Sequence, residues 1–166
     1  MKKSIGNDAM KKGFILGILF SINFIIGTTT LGFLQFGVLF IILGLTFFYT
    51  KKCRDVLMEG SISFGKAWKY IFQLFLYASL ISAFVKYIYF KYIQVGYAEE
   101  LKNKVLLQYE KMQLPDEMMV KMQEVSDTVF TPISISVNGI WVNLFYAVFV
   151  GLIFALIIKK EKSLFD

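Results

Sequence analysis

Residues Gly13 to Thr50 read "GFILGILFSINFIIGTTTLGFLQFGVLFIILGLTFFYT", 38 positions without a charged side chain. As one helix this run would be about 57 Å long at 1.5 Å per residue, close to twice the hydrocarbon thickness of a bilayer. It therefore turns inside itself. The break falls at "GTTTLG", Gly27 to Gly32, where two glycines flank three β-branched residues of lower helix propensity. Two membrane spans result, over about 10–28 and 31–49.

The rest of the chain fits the same solvent. Hydrophobic residues make up 57% of the 166, with 18 phenylalanines, more than a soluble domain of this length can bury. A third apolar run, "WKYIFQLFLYASLISAFVKYIYFKYI", covers 68–93. A fourth covers 132–158, opened by Thr131 as N-cap and Pro132 at the first helical position. The expected fold is all-α, a four-helix integral membrane bundle in a single membrane domain, with an extramembrane helical hairpin over about 97–129 between the third and fourth spans.

Lysine placement orients the bundle, because short basic loops stay on the cytoplasmic side. Lys2, Lys3, Lys11 and Lys12 precede the first span, Lys51, Lys52, Arg54, Lys66 and Lys69 separate the second from the third, and Lys159, Lys160 and Lys162 follow the fourth. Residues 91–131 carry five lysines against seven acids. All three basic clusters share one side only with four spans and both termini cytoplasmic. The net charge of +6 is then a topology signal and not a nucleic-acid footprint. A cleaved signal peptide is the competing reading of the first run, but "GTTTLG" is a weak cleavage site and its loss would spoil the even span count.

One motif invites a nucleotide. "GSISFGKAW", Gly60 to Trp68, spaces Gly60, Gly65 and Lys66 as a phosphate-cradling loop does. Position 67 is Ala67 where such a loop needs a magnesium-binding hydroxyl, the preceding "YTKKCRDVLME" is no buried strand, and the following segment is a span. The element reads better as an anchor at the membrane boundary, with Ser63 capping a helix and Lys66, Trp68 and Lys69 at headgroup level. Lipid contact is its plain role; a site for a partner or an anionic lipid is the sharper one.

Inside the spans, Gly13, Gly17 and Ser21 in the first and Ala147, Gly151 and Ala155 in the fourth are small residues at a spacing of four, which lets helices approach closely. They serve packing within the bundle or self-association. In the insert, apolar residues recur at helical spacing as Leu101, Val105, Tyr109, Met112 and then Met118, Met122, Val125, Val129. Two amphipathic helices follow, broken at "QLPDE", with Glu100 to Lys104 and Glu117 to Lys121 as i,i+4 pairs. Met112, Met118, Met119 and Met122 could offer thioethers to Cu(I), yet the chain has no His and the insert no Cys, so methionine as apolar filler is preferred. Cys53, alone between Lys52 and Arg54, forms no intramolecular disulfide.

Enzymatic readings fare poorly: there is no imidazole base, and the carboxylates fall in loops or in the insert, none inside a span. No catalytic, metal or cofactor site is expected. Lys86, in "ISAFVKYIYF", either snorkels toward the headgroups or joins Asn23, Gln35, Ser134 and Asn138 in a small polar chamber, as a transporter or ligand sensor would need.

The "ISFGKAWK" element, the "IYF" late in the third span, the acidic, methionine-bearing insert and a last span ending in "IIKK" together resemble the bacterial domain-of-unknown-function family 4199, over nearly the whole chain. The resemblance implies a small four-span inner-membrane protein and carries over no reaction, ligand or catalytic residue. In that family a proline often follows the third span; here "YIQVGYAEE" has Gly96. The leading expectation is a non-enzymatic interaction or accessory module that contacts the lipid bilayer, a membrane-protein partner or a second copy, and no nucleic acid. The alternative is a small transporter or lipid- or ligand-handling protein built around Lys86.

Overall fold

The computed structural model describes residues 4–29, 31–113 and 115–160. Six helices follow in order: α1 (Ile5–Gly27), α2 (Leu34–Lys52), α3 (Phe64–Ile88), α4 (Tyr97–Lys111), α5 (Asp116–Val129) and α6 (Pro132–Ile158). π-helical turns extend α2 over Cys53–Leu57 and α3 over Tyr89–Ile93. Among the described residues the extended backbone amounts to one isolated antiparallel bridge, Ile62 to Lys160. The fold is all-α, as composition and periodicity predict.

Several boundaries follow from local chemistry. After Gly27, the hydroxyls of Thr28 and Thr29 donate to the carbonyls of Ile25 and Ile26 at 2.8 and 2.7 Å, satisfying groups that the end of α1 would otherwise leave open. At the start of α6, Thr131 Oγ1 accepts from the amide of Ser134 at 3.2 Å, while Pro132 occupies a position whose missing N–H costs nothing.

The first helix starts earlier than its apolar run. It opens at Ile5 and so takes in Asp8, Lys11 and Lys12. Asp8 thus lies in the first turn of a membrane-length helix, before the expected span of 10–28, with a Lys12 ammonium 2.7 Å away at i+4.

The chain divides into two compact units, one of Met1–Ser82 with Ile140–Asp166 and one of Ala83–Gly139. In the first, α3 is the central helix: 39% of its most apolar window is buried, against 28% for α1 and 17% for α2 and α6. Helix α1 lies against it through its small residues. A Cβ on Gly13 would stand 2.6 Å from Tyr77 Cβ, and one on Gly17 would stand 2.7 Å from Ile81 Cβ and 3.0 Å from the Ala78 carbonyl. Helix α6 uses its own row on another face of α3: Ala147 packs with Ile71 and Phe75, Ala155 with Ala67 and Ile62, and Gly151 leaves room for the Trp68 ring. Both rows therefore serve packing within one chain.

Helix α2 contributes Ile42, Thr46 and Thr50 to the interior. The two threonine hydroxyls donate back to the Ile42 and Thr46 carbonyls at 2.8 Å, so they can be buried without another partner. Outward, α2 exposes Phe36 and Phe40 and α6 exposes Phe145, Phe149 and Ile153. Helices apolar on their outer surface suit a lipid solvent, in which packing and not water exclusion holds helices together.

The second unit holds the end of α3, α4, α5 and the first turns of α6. Lys102 of α4 forms an ion pair with Asp127 of α5, which sets the two helices antiparallel as a hairpin. Gln113, at φ 50°, closes α4, and Asp116 and Glu117 occupy the first turn of α5, where carboxylates suit the helix dipole. The chain leaves α3 through the Tyr89–Ile93 turn, with the Phe90 and Tyr97 rings stacked at 4.9 Å. Gly96 has φ −86°, a value open to any residue, so this exit makes no use of glycine's freedom.

Candidate functional site

The "GSISFGKAWK" element joins α2 to α3 at the basic end of the first unit. Glu59 (φ 54°) and Gly60 (φ 84°) turn the chain, and Ile62 then pairs with Lys160 through two 2.9 Å backbone bonds. Arg54 donates to the Ile158 carbonyl at 3.1 Å, satisfying an acceptor at the end of α6. A phosphate loop is thereby excluded on geometry. The amides of Gly60, Ser61 and Ile62 already donate to the carbonyls of Arg54, Met58 and Lys160, whereas a cradle needs them free. Ser63 stands at the N-cap position of α3, its carbonyl accepting from Ala67 at 3.0 Å.

From there the motif's side chains diverge. Ala67 is fully buried against Ala155 and Ile158. Trp68 stacks on Phe72 at 5.7 Å and reaches the Val148 carbonyl at 3.4 Å, so its ring lies on α6 over Gly151. Lys66 and Lys69 point elsewhere. With Tyr70 and Gln73 they form a stripe at i, i+3, i+4 and i+7 on α3 that lines a cavity of about 450 Å3, closed by Ile5, Gly6, Cys53, Met58 and Ile62.

Behind this cavity sits a polar cluster that sequence reasoning missed. The Tyr70 hydroxyl donates to Asp8 Oδ2 at 2.6 Å, and Lys12 Nζ donates to the same oxygen at 2.7 Å and to Tyr70 Oη at 3.3 Å. The Lys12 ammonium also lies 5.4 Å from the centre of the Tyr49 ring and 5.9 Å from that of Tyr70, within cation–π range. Tyr70 is 1% exposed. Carboxylate, ammonium and phenol thus satisfy one another, and the pair adds no net charge. The available signals were the Asp8–Lys12 spacing and the polar stripe on a helix otherwise apolar. Cys53, fully buried among Ala9, Leu16 and Tyr70, is a core thiol.

The candidate chamber residues divide between the two units. In the first, Gln35 Nε2 donates to the Asn23 carbonyl at 3.1 Å, and Gly27 leaves the space that the Gln35 amide fills. The side-chain oxygen of Asn23 is buried without a hydrogen-bond partner among the described residues. In the second, Lys86 extends its ammonium onto α6, where a Cβ on Gly139 would be 3.0 Å from Nζ. Ser134 is engaged locally, donating to the Thr128 carbonyl at 2.9 Å and accepting from the Thr131 hydroxyl at 2.8 Å, and Asn138 is exposed.

In the hairpin, α4 covers Leu101, Val105 and Tyr109 as periodicity predicts, while Met112 is exposed. Helix α5 differs. Its covered row is Met119, Met122 and Ser126, and Met118, Val125 and Val129 remain exposed. The two rows are about 70° apart on the helix, and both satisfy a 3.6-residue repeat. Glu117 and Lys121 pair at 2.9 Å as expected; among the described residues no ion pair joins Glu100 to Lys104, and the pairing of Lys102 with Asp127 takes its place.

Among the described residues, four helices long and apolar enough to cross a membrane, their ends on one side tied together by Arg54, the Ile62–Lys160 bridge and the Asp8–Tyr70 bond, define a multi-span α-helical membrane protein. Within that class, residues 11–160 match the model of the family described as protein of unknown function, DUF4199. The chain belongs to that family. No curated protein and no solved structure matches it.

Proposed function

We propose that this protein is a non-enzymatic accessory module of the bacterial inner membrane, whose four spans hold the α4–α5 hairpin outside the bilayer for a membrane-protein partner. The observation that carries the reading is the uncovered row on α5. Met118, Val125 and Val129 are 48%, 56% and 49% exposed although the same helix covers Met119, Met122 and Ser126 against its surroundings. An apolar stripe beyond what a hairpin needs for its own pairing suits a protein surface. A photo-crosslinking residue at Val125, irradiated in intact membranes, should yield one or a few discrete protein adducts, with far less at exposed Lys104 as the reference position. Lipid adducts alone, or equal yields at both sites, would refute the reading.

Orientation is supported by charge. The basic clusters favour a cytoplasmic location for their end and for both termini, which leaves the hairpin on the opposite side of a four-span chain. A reporter active only in the cytoplasm should work when inserted near Met58 and fail near Pro115. Activity at Pro115 would rule out the four-span orientation.

A further inference from the structure

The cavity at the basic end is the strongest feature that the hairpin reading leaves unused. It is amphipathic in a particular way. Lys66, Lys69 and Gln73 supply its polar wall from one face of α3, while Met58 and Ile62 supply an apolar one. Among the described residues no carboxylate lines it. The nearest acid of the adjoining cluster, Asp8, is already neutralised by Lys12 and bonded by Tyr70. The two lysines therefore give the cavity a net positive charge.

The donors are also free. Among the described residues the side chains of Lys66, Lys69 and Gln73 have no hydrogen-bond or ion-pair partner, although the nearby Arg54, Lys12 and Trp68 are all engaged. Two ammonium groups and an amide facing one space make a donor set for an oxyanion, and phosphate is the abundant oxyanion at a membrane surface. The apolar wall suits an amphiphile. A volume of about 450 Å3 lies within the roughly 300–1,000 Å3 range of small-molecule sites, enough for a headgroup and the first atoms of its chains.

We infer that this cavity binds a phosphate-bearing anion, with the headgroup of an anionic phospholipid as the occupant that its mixed walls favour. Lys66 and Lys69 hold the phosphate oxygens, Gln73 donates a third hydrogen bond, and Met58 and Ile62 cover the glycerol end. The "SFGKAWK" element then has two faces: Ala67 and Trp68 lock α3 to α6, and the two lysines on the intervening face hold the anion. This inference is independent of the hairpin reading and fails separately from it.

The test uses the full chain in a neutral detergent, with phosphatidylglycerol or phosphatidylcholine added and bound lipid counted by native mass spectrometry. Phosphatidylglycerol should bind in preference, and Lys66→Gln with Lys69→Gln should weaken it roughly 30-fold, the loss of two basic contacts to an anionic headgroup. Both lysines are exposed, so the double variant is expected to fold; elution of a single species at the wild-type volume checks that. Lys51→Gln with Lys52→Gln removes the same charge at the same end but outside the cavity, and should leave binding within about threefold. Gln73→Glu, which sets a carboxylate beside the lysines, should abolish it. Equal losses from the two lysine pairs, or no preference between the lipids, would overturn the site. A separate arm adds inorganic phosphate to Met58→Cys, a probe on the apolar wall that leaves both lysines in place: protection from a thiol reagent by phosphate alone would assign the site to a free anion, and protection by phosphatidylglycerol, by itself or as well, would assign it to the lipid. Protection by neither overturns the inference.

Discussion

Gly17→Leu is expected to destabilise the folded bundle by about 3 kcal/mol or more. A bare Cβ at this position would lie 2.7 Å from Ile81 Cβ, 3.0 Å from the Ala78 carbonyl and 3.1 Å from Ile81 Cγ2. Two of those atoms belong to the backbone or the first side-chain carbon of α3 and cannot swing away. Carbon atoms need about 3.5–4.0 Å, so α1 would have to retreat by roughly 1 Å before the rest of the leucine is accommodated. The retreat would loosen Leu16 and Ser21, both buried on the same helix. Overpacking a core costs about 1–3 kcal/mol, and a clash with backbone belongs at or above the upper end. Gly44→Leu on α2 is the control, since nothing lies within 4 Å of its Cβ and the position is exposed. Thermal unfolding followed by size-exclusion chromatography in detergent should separate the two by roughly 6–12 °C, on the order of 2–4 °C per kcal/mol for a chain of this size. Equal behaviour would mean that the close α1–α3 approach does not hold the bundle together.

Asp8→Ala should be the second largest effect. It strips the acceptor from the Tyr70 hydroxyl and the counter-ion from Lys12, whose side chain is only 16% exposed. Removing one partner of a buried ion pair costs about 3–5 kcal/mol, because the remaining charge stays in a poor solvent. Lys12 keeps the faces of Tyr49 and Tyr70, worth roughly 0.5–2 kcal/mol, so the lower end of that range is expected. Asp8→Ala combined with Lys12→Met should recover part of the loss, since both charges then leave together, and adding Tyr70→Phe should recover more by removing the orphaned hydroxyl. Denaturant melts of these variants, with Lys12→Met alone and the wild type beside them, measure this order directly. A double variant as unstable as the sum of its single changes would show that Asp8 and Lys12 do not act as a pair.

The difference between what could and could not be read in the sequence follows the range of the forces involved. The 38-residue uncharged run, its break at "GTTTLG", the Thr131–Pro132 start of α6 and its end at Ile158 are decided by residues within a few positions of each other, through propensity, capping and chain length against bilayer thickness. The small-residue rows were legible for the same reason, as a local property of one helix. The partner of each row was not, because Gly17 says that something can come close and only Ala78 and Ile81 say what does.

The partner of Asp8 was not legible, because only the fold brings Tyr70, 62 residues away, within 2.6 Å of it. On α5 a repeat of 3.6 residues fits the rows of Met118 and Met119 alike, and the packing of the helix against its neighbours decides which is covered. Four spans and a helical insert could be read segment by segment, since solvent preference and local geometry are carried by each segment alone. Long-range packing was needed to make α3 the shared axis of the first unit, to turn Lys66 and Lys69 to a cavity and Trp68 to α6, and to bring Asp8 to Tyr70. Each of these depends on atoms distant in sequence meeting at less than 4 Å, a distance at which hydrogen bonds and steric contact act and hydropathy carries no information.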